Sequence, residues 1–302
     1  MLKKNKVTVF ETSVNGKWIL TGEHAVIRGF PALLFPVSSK TLKLTYTPSQ
    51  DSLSIHYQGE YKDKLDLAFK SALSKSSELL KINLNELTGK IFISNQIPVG
   101  AGMGASGALC VAVGELLTHL GYLQKDDLFN FAKSLEDLFH GQSSGADIAI
   151  AIAKRGISFT NNGHIEPITM NWQPLWFLSY TGKASITSTS VNKVQSLCTT
   201  NESLAKKLDL DMAKSVTMAK KALLLSEQAG FALLKDAINL AHCCYQQWGL
   251  CDNDINRHAD TLKNAGAKAL KSTGAGGGGY MLSLWDEKPC DEIIQKLIPL
   301  NH

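Results

Sequence analysis

Short apolar runs alternate with polar ones along the first hundred residues. Val7–Phe10, Lys17–Leu20, Ala32–Pro36, Leu42–Thr47 and Leu53–Tyr57 each read as strands, and Lys90–Ser94 as another after a helical pattern near Leu65–Leu80. The period then changes. A long apolar stretch from about Ala105 to Leu120 predicts a helix, Lys125–Phe139 a second, and a short third begins near Ser144 after the break His140-Gly141-Gln142. Asn161–Pro174, with Asn-Asn-Gly and two prolines, reads as the connection between halves spanning 1–168 and 169–302. Beyond it, Leu175–Tyr180 is apolar enough for a buried strand, and Leu204–Ala229, Gly230–Trp248 and Asn253–Ala265 carry helical patterns. A strand at Tyr280–Trp285 and a helix at Cys290–Ile298 close the chain. Mixed strands and helices in two halves predict a two-domain α/β or α+β enzyme with its site in the cleft between them.

Composition narrows the classes. At 302 residues with 44% apolar side chains the chain can bury a large core, and 19% charged residues is ordinary for a globular protein. The net charge of +4 favours anionic ligands such as nucleotides but is far from the dense basic surface of a nucleic-acid binder. The six cysteines form no C-x-x-C pair and no zinc-ligand spacing, so neither a disulfide framework nor a zinc site is expected. The basic N-terminus has no long apolar run behind it, and no segment approaches the ~18 apolar residues of a membrane span. The expectation is a cytoplasmic protein that binds small molecules, with no nucleic-acid or membrane partner and a possible homodimer.

Two glycine-rich loops carry candidate chemistry. Pro98-Val-Gly-Ala-Gly-Met-Gly-Ala-Ser-Gly-Ala108 follows a strand and opens directly into the apolar helix. Four glycines within Gly100–Gly107 allow close backbone approach, and the helix N-terminus adds partial positive charge. Together these make a phosphate site. The segment Gly102–Gly107 also spells G-x-G-x-x-G, but Asp126 and Asp127 open a helix rather than end a second strand, which speaks against a dinucleotide-binding fold. No G-x-x-x-x-G-K-[ST] occurs. A second loop, Ser272-Thr-Gly-Ala-Gly-Gly-Gly-Gly279, precedes an apolar strand and reads either as a linker or as a backbone wall against a ligand.

A third motif brings in a resemblance. Gly16-Lys-Trp-Ile-Leu-Thr-Gly-Glu-His-Ala-Val-Ile-Arg-Gly-Phe-Pro-Ala32 resembles the first motif of the GHMP kinase superfamily, and its Gly-Glu-His-Ala-Val core is similar to that of the mevalonate kinase family within it. The loops at 98–108 and 272–279 resemble the second and third motifs, in the same order. The resemblance implies an N-terminal domain like ribosomal protein S5 domain 2, a C-terminal ferredoxin-like domain, ATP and Mg²⁺ as cofactors, and mevalonate as acceptor. It also leaves room for other GHMP kinases acting on phosphomevalonate, a sugar or homoserine, and for a non-catalytic sensor of ATP and a metabolite.

Residue by residue, it implies phosphates on Pro98, Gly100, Ala101, Gly102, Met103, Gly104, Ala105, Ser106 and Gly107. The serine that the family carries before Ser106 is here Ala105, and the alanine after it is Gly107. Ser106, read alone, is an N-cap; by resemblance it joins Glu136 at the metal. Glu136 and Asp147 lie eleven residues apart, which on one continuous helix would separate them by roughly 16 Å. The His-Gly-Gln-Ser-Ser-Gly break between them lets the chain turn back, and the resemblance makes Asp147 the catalytic base. Ser144 to Asp147 is also a capping box in outline, and Glu136 alone would be a solvated helix charge. Lys17, otherwise an ordinary lysine, would reach Asp147 and the reacting hydroxyl and stabilise charge developing on oxygen. Glu23, His24, Thr187, Gly274 and Ala275 would border the acceptor. Thr273 is a further candidate from the third motif. No arginine accompanies Thr187, so the recognition of an acceptor carboxylate is not accounted for.

Overall fold

A computed structural model describes residues 8–141 and 143–300. Val7 and Gln142, included above in a strand and a break, lie outside the described residues. The fold is a mixed α/β arrangement of two sheets with helices packed on them.

The first sheet runs β3 (Ser54–Gln58), β4 (Thr88–Asn95), β2 (Ala32–Ser52), β5 (Ile157–Phe159), β6 (Ile165–Pro167), with β1 (Phe10–Thr21) also paired to β2. All pairs are antiparallel except β3 with β4. The predicted strands Lys17–Leu20 and Phe10 fuse into the single strand β1, and Ala32–Pro36 and Leu42–Thr47 fuse into β2. The polar Ser38–Lys40 segment stays extended because both flanks of β2 are held by β1. Register shifts at Asn15/Gly16 and Ile19/Thr21 bend β1, and the Lys17 N–H is thereby free to donate to the Met103 carbonyl at 2.9 Å.

Four helices accompany this sheet: α1 (Lys62–Leu80), α2 (Ala105–His119), α3 (Leu128–His140) and α4 (Ala146–Ala153), while α5 (Thr187–Thr200) borders the cleft from the second half. Helix α2 is apolar all round and buried from Gly107 to Gly114, as expected of a central helix rather than an amphipathic surface one. Its neighbours are β1, α3 and α4.

The second sheet is antiparallel in the order β10 (Leu297–Pro299), β7 (Leu175–Tyr180), β9 (Tyr280–Trp285), β8 (Ala269–Thr273). The period-2 alternation of side chains divides it cleanly. Trp176, Leu178, Leu282 and Leu284 face the core shared with α6 (Glu202–Leu224) and α7 (Glu227–Gln247), while Phe177, Leu270, Met281 and Trp285 pack with Ile255, Ala259 and Leu262 of α8 (Asn253–Asn264).

Several expectations are corrected. The helix expected over Leu204–Ala229 ends at Leu224 and the next begins at Glu227, so the break is not at Gly230. Gly230 lies inside α7, where a methyl group would sit 2.5 Å from the Ala222 carbonyl and 2.5 Å from Trp172 Nε1. It permits a close crossing rather than ending a helix. The terminal helix shrinks to α9 (Asp291–Ile294), and Leu297–Pro299 instead pairs with β7. Strand β6 lies within the segment read as a connection, and Trp172 in the same segment donates from Nε1 to the Ala222 carbonyl at 2.9 Å. No helix among the described residues is long and apolar enough to cross a membrane.

Candidate active site

The three motifs meet on one cleft of about 660 Å³. Strand β1 brings Lys17 into its wall and leads to Glu23 and His24. The loop before α2 supplies Pro98, Gly100, Gly102, Met103, Gly104, Ala105 and Ser106. Helices α3 and α4 supply Glu136 and Asp147, the start of α5 supplies Thr187, and the loop between β8 and β9 supplies Gly274 and Ala275. Ala101 and Gly107 do not line it. Ala101 is buried with its carbonyl toward Gly279, and Gly107 is buried in the first turn of α2, facing Asp147 and Glu136 behind the cleft wall.

The loop glycines do specific work. Gly104 holds φ +77° at the N-cap of α2, and a side chain there would meet Lys17 Cγ at 2.7 Å. Gly274 holds φ +88°, and a methyl group on it would lie 3.3 Å from the Gly102 carbonyl, so the second and third motifs abut backbone to backbone. The N-cap position is thus Gly104, and Ser106 sits inside the first turn of α2 rather than capping it.

Asp147 lies in the first turn of α4, and Lys17 Nζ is 3.1 Å from its Oδ1. The cap of α4 is Gly145, with φ +80° and no side-chain hydrogen bond; Ser144 Oγ accepts only from the Ala146 N–H, at 3.2 Å. Asp147 therefore serves the cleft and not a capping box. Helix α3 ends at Gly141 with φ +77°, and the chain turns back so that the two carboxylates converge. A methyl group at Gly107 would be 2.9 Å from Asp147 Cβ and 3.3 Å from Glu136 Oε1. Glu136 is 2% exposed and its Oε2 accepts no hydrogen bond from the described residues. Burial, with the Asp147 charge adding to it, pushes its carboxyl up to about 8. A buried carboxylate oxygen without a partner beside a second carboxylate suits a cation. Among the described residues no cluster of three or more His, Cys, Asp or Glu exists. A two-carboxylate site with a nearby serine fits a hard ion that keeps water and phosphate in its shell better than it fits zinc.

His24 is buried at φ +59°, a conformation that L residues rarely adopt. Its Nε2 lies 2.9 Å from the Ala275 carbonyl and must carry the proton there. Burial pulls its pKa down to about 4, so the ring is neutral at pH 7. Trp248 packs against it edge-on at 5.0 Å. The first motif is thus bolted to the third.

Residues 68–155 match the family described as GHMP kinases N terminal domain. The L. major mevalonate kinase, solved in complex with R-mevalonate, superposes with a TM-score of 0.76 at 24% identity, covering 92% of this chain and 88% of that one. The fold is that of the GHMP kinases. The chain is similar along most of its length to mevalonate kinases: 29% identical over 304 residues to that of Thermococcus gammatolerans, covering 91% of this chain and 89% of the relative. To that of Pyrococcus horikoshii it is 28% identical over 303 residues, covering 90% and 87%.

Within this GHMP kinase fold some features escape sequence reasoning. Lys271 is fully buried and ion-paired with Glu23; strand β8, which carries it, was hidden by its mixed sequence Ala-Leu-Lys-Ser-Thr. Thr273 does not line the cleft but exchanges hydrogen bonds with both backbone groups of Ile19, at 2.8 and 3.0 Å. Helix α5, with Ser188, Val191 and Asn192 on the cleft, is weakly apolar and lacks a capping signal. Among the described residues lining the cleft, Lys17 is the one lysine or arginine.

Proposed function

We propose that the chain catalyses ATP-dependent phosphorylation of the 5-hydroxyl of mevalonate, giving 5-phosphomevalonate and ADP. The observation that carries this reading is the Lys17–Asp147 pair at 3.1 Å, facing a glycine loop at a helix N-terminus. The similarity to mevalonate kinases supports the choice of acceptor. We divide the work between residues 1–168, with the phosphate loop and both carboxylates, and residues 169–302, with the third motif.

The chain's own groups suffice to position the reaction. Backbone N–H groups between Gly100 and Gly107, with the positive end of α2, hold the ATP phosphates. Asp147 accepts the proton of the acceptor hydroxyl as its oxygen attacks the γ-phosphorus and ADP leaves. Lys17 Nζ, already against Asp147, stabilises charge on the reacting oxygens. Ser106 and Glu136 would hold Mg²⁺, which when bound neutralises phosphate charge. Glu23, His24, Thr187, Gly274 and Ala275 border the acceptor. We further infer a cytoplasmic location, in keeping with a reaction that draws on the ATP pool.

One observation favours a second acceptor class. With Lys17 the one lysine or arginine in the wall, a neutral sugar would leave no carboxylate to be matched. The test is ADP release from MgATP with mevalonate, phosphomevalonate, galactose and homoserine in parallel. Selective turnover of mevalonate is expected, with kcat falling about 10²–10⁴-fold in Asp147→Asn. Turnover of galactose alone would replace the acceptor, and an unimpaired Asp147→Asn would remove the base.

A further inference from the structure

Lys271 is 0% exposed, on a strand whose five residues are all buried. Its ammonium pairs with Glu23 Oε1, donates to the Ile19 carbonyl at 3.3 Å, and lies 5.3 Å from the centre of the Tyr245 ring. Glu23 is itself only 3% exposed. Its second oxygen, Oε2, is buried and accepts no hydrogen bond from the described residues, because the neighbouring Tyr245 hydroxyl gives its one hydrogen to the Gly274 carbonyl. Glu23 nonetheless lines the cleft.

A buried ion pair is a poor way to stabilise a core, since desolvating two charges offsets most of their attraction and apolar residues of the same size serve as well. Leaving one carboxylate oxygen unpaired beside the ligand site makes the arrangement worse for stability alone. The combination makes sense if the unpaired oxygen is completed by the ligand.

We propose that Lys271 is a positioning residue. It fixes the Glu23 carboxylate with one oxygen engaged and the other unpaired behind the cleft wall, so that the site selects an acceptor carrying a second hydroxyl, whose O–H reaches in to donate to Glu23 Oε2. This rests on the reading above, in which one hydroxyl is phosphorylated beside Asp147; mevalonate has a second, on its tertiary carbon. A site built to pair with a hydroxyl rejects an analogue lacking it far more strongly than an apolar pocket rejects a changed methylene.

The experiment compares mevalonate with 5-hydroxy-3-methylpentanoate, the same acid without the tertiary hydroxyl, in the wild type and in Lys271→Met. Acceptor kcat and KM, the KM for ATP, and Tm are read together. The wild type is expected to prefer mevalonate at least tenfold in kcat/KM. In Lys271→Met the acceptor KM rises at least tenfold, the preference collapses towards unity, and the KM for ATP stays within about twofold. The double variant Glu23→Gln, Lys271→Met regains Tm without regaining the preference. A Lys271→Met enzyme with lower Tm but an intact preference overturns the proposal, because a structural role moves only Tm. Should Lys271→Met not fold, Glu23→Gln carries the test, and a preserved preference there overturns it equally. A wild type that turns over no mevalonate sinks the acceptor assignment. The positioning claim is then decided by the same criteria with galactose or phosphomevalonate and its deoxy analogue, and preferred turnover of homoserine, which has one hydroxyl, overturns it.

Discussion

At the scale of single residues, His24 shows how burial sets chemistry. Its ring is neutral because burial disfavours the charged form, and its strained backbone is held by the hydrogen bond to Ala275. His242 is likewise pulled down to about 4 by burial. In the unfolded chain both would titrate near 6.5, so between about pH 6.5 and 4 the unfolded state binds more protons. Stability is therefore lost as pH falls through that window, by up to about 1.4 kcal/mol per pH unit for each histidine. Glu136 works in the opposite sense: its raised pKa means that stability falls as pH rises from about 4.5 to about 8. The two effects oppose one another in the overlap, so the informative comparison is between wild type and His24→Gln, which keeps a donor for Ala275. Urea unfolding from pH 4 to 7 is expected to show a shallower acid loss in the variant, by about one histidine's share. Identical slopes would mean that His24 takes up its proton in the folded state.

At the scale of elements, the decisive contact is the packing of α2, α3 and α4. The two carboxylates come together because Gly107 offers them no side chain: they approach over a bare turn of α2. Gly107→Ala is expected to push Asp147 and Glu136 outward, lowering kcat at least tenfold. The same overpacking should cost about 1–3 kcal/mol of stability. Steady-state kinetics and thermal unfolding on one preparation check both, and an unchanged kcat would show that α4 absorbs the methyl group without moving Asp147. The elements that sequence reading located best, α2 and β9, are those whose apolar pattern is strongest. Those it missed, α5, β5, β8 and β10, are short or of mixed composition, and their neighbours rather than their propensities make them regular.

At the scale of the whole molecule, the two sheets are joined around the cleft by polar contacts as well as by core packing. Arg28, in the short 3₁₀ turn Ala25–Arg28, donates from Nε to Asp209 Oδ2 of α6 at 2.6 Å, with a second contact from its other nitrogen. The Thr21 hydroxyl pairs with Ser215 of the same helix. The turn follows directly on Glu23 and His24, so this clamp fixes that part of the cleft wall against α6. Arg28→Ala leaves Asp209 buried without its partner and is expected to lower stability by about 2 kcal/mol. Asp209→Asn in the Arg28→Ala background should recover part of that loss. Urea midpoints of the four proteins in the cycle measure the coupling, and strict additivity would show that the pair contributes nothing beyond its parts.

The linear chain by itself determined where the backbone turns through positive dihedrals at the head of the central helix, because glycine adopts them without strain. It determined the central helix and most strands through the period of their apolar residues. Lys17, Glu136 and Asp147 were legible only as motif positions, since nothing in their local patterns separates them from solvated charges. That Lys17 meets Asp147, that Glu136 leaves one oxygen bare, that His24 is neutral and that Lys271 answers Glu23 are facts of tertiary structure. The reason is physical: the partners are far apart in sequence, Glu23 and Lys271 by 248 positions, and the burial that sets their charge exists only once both sheets and their helices have closed around them.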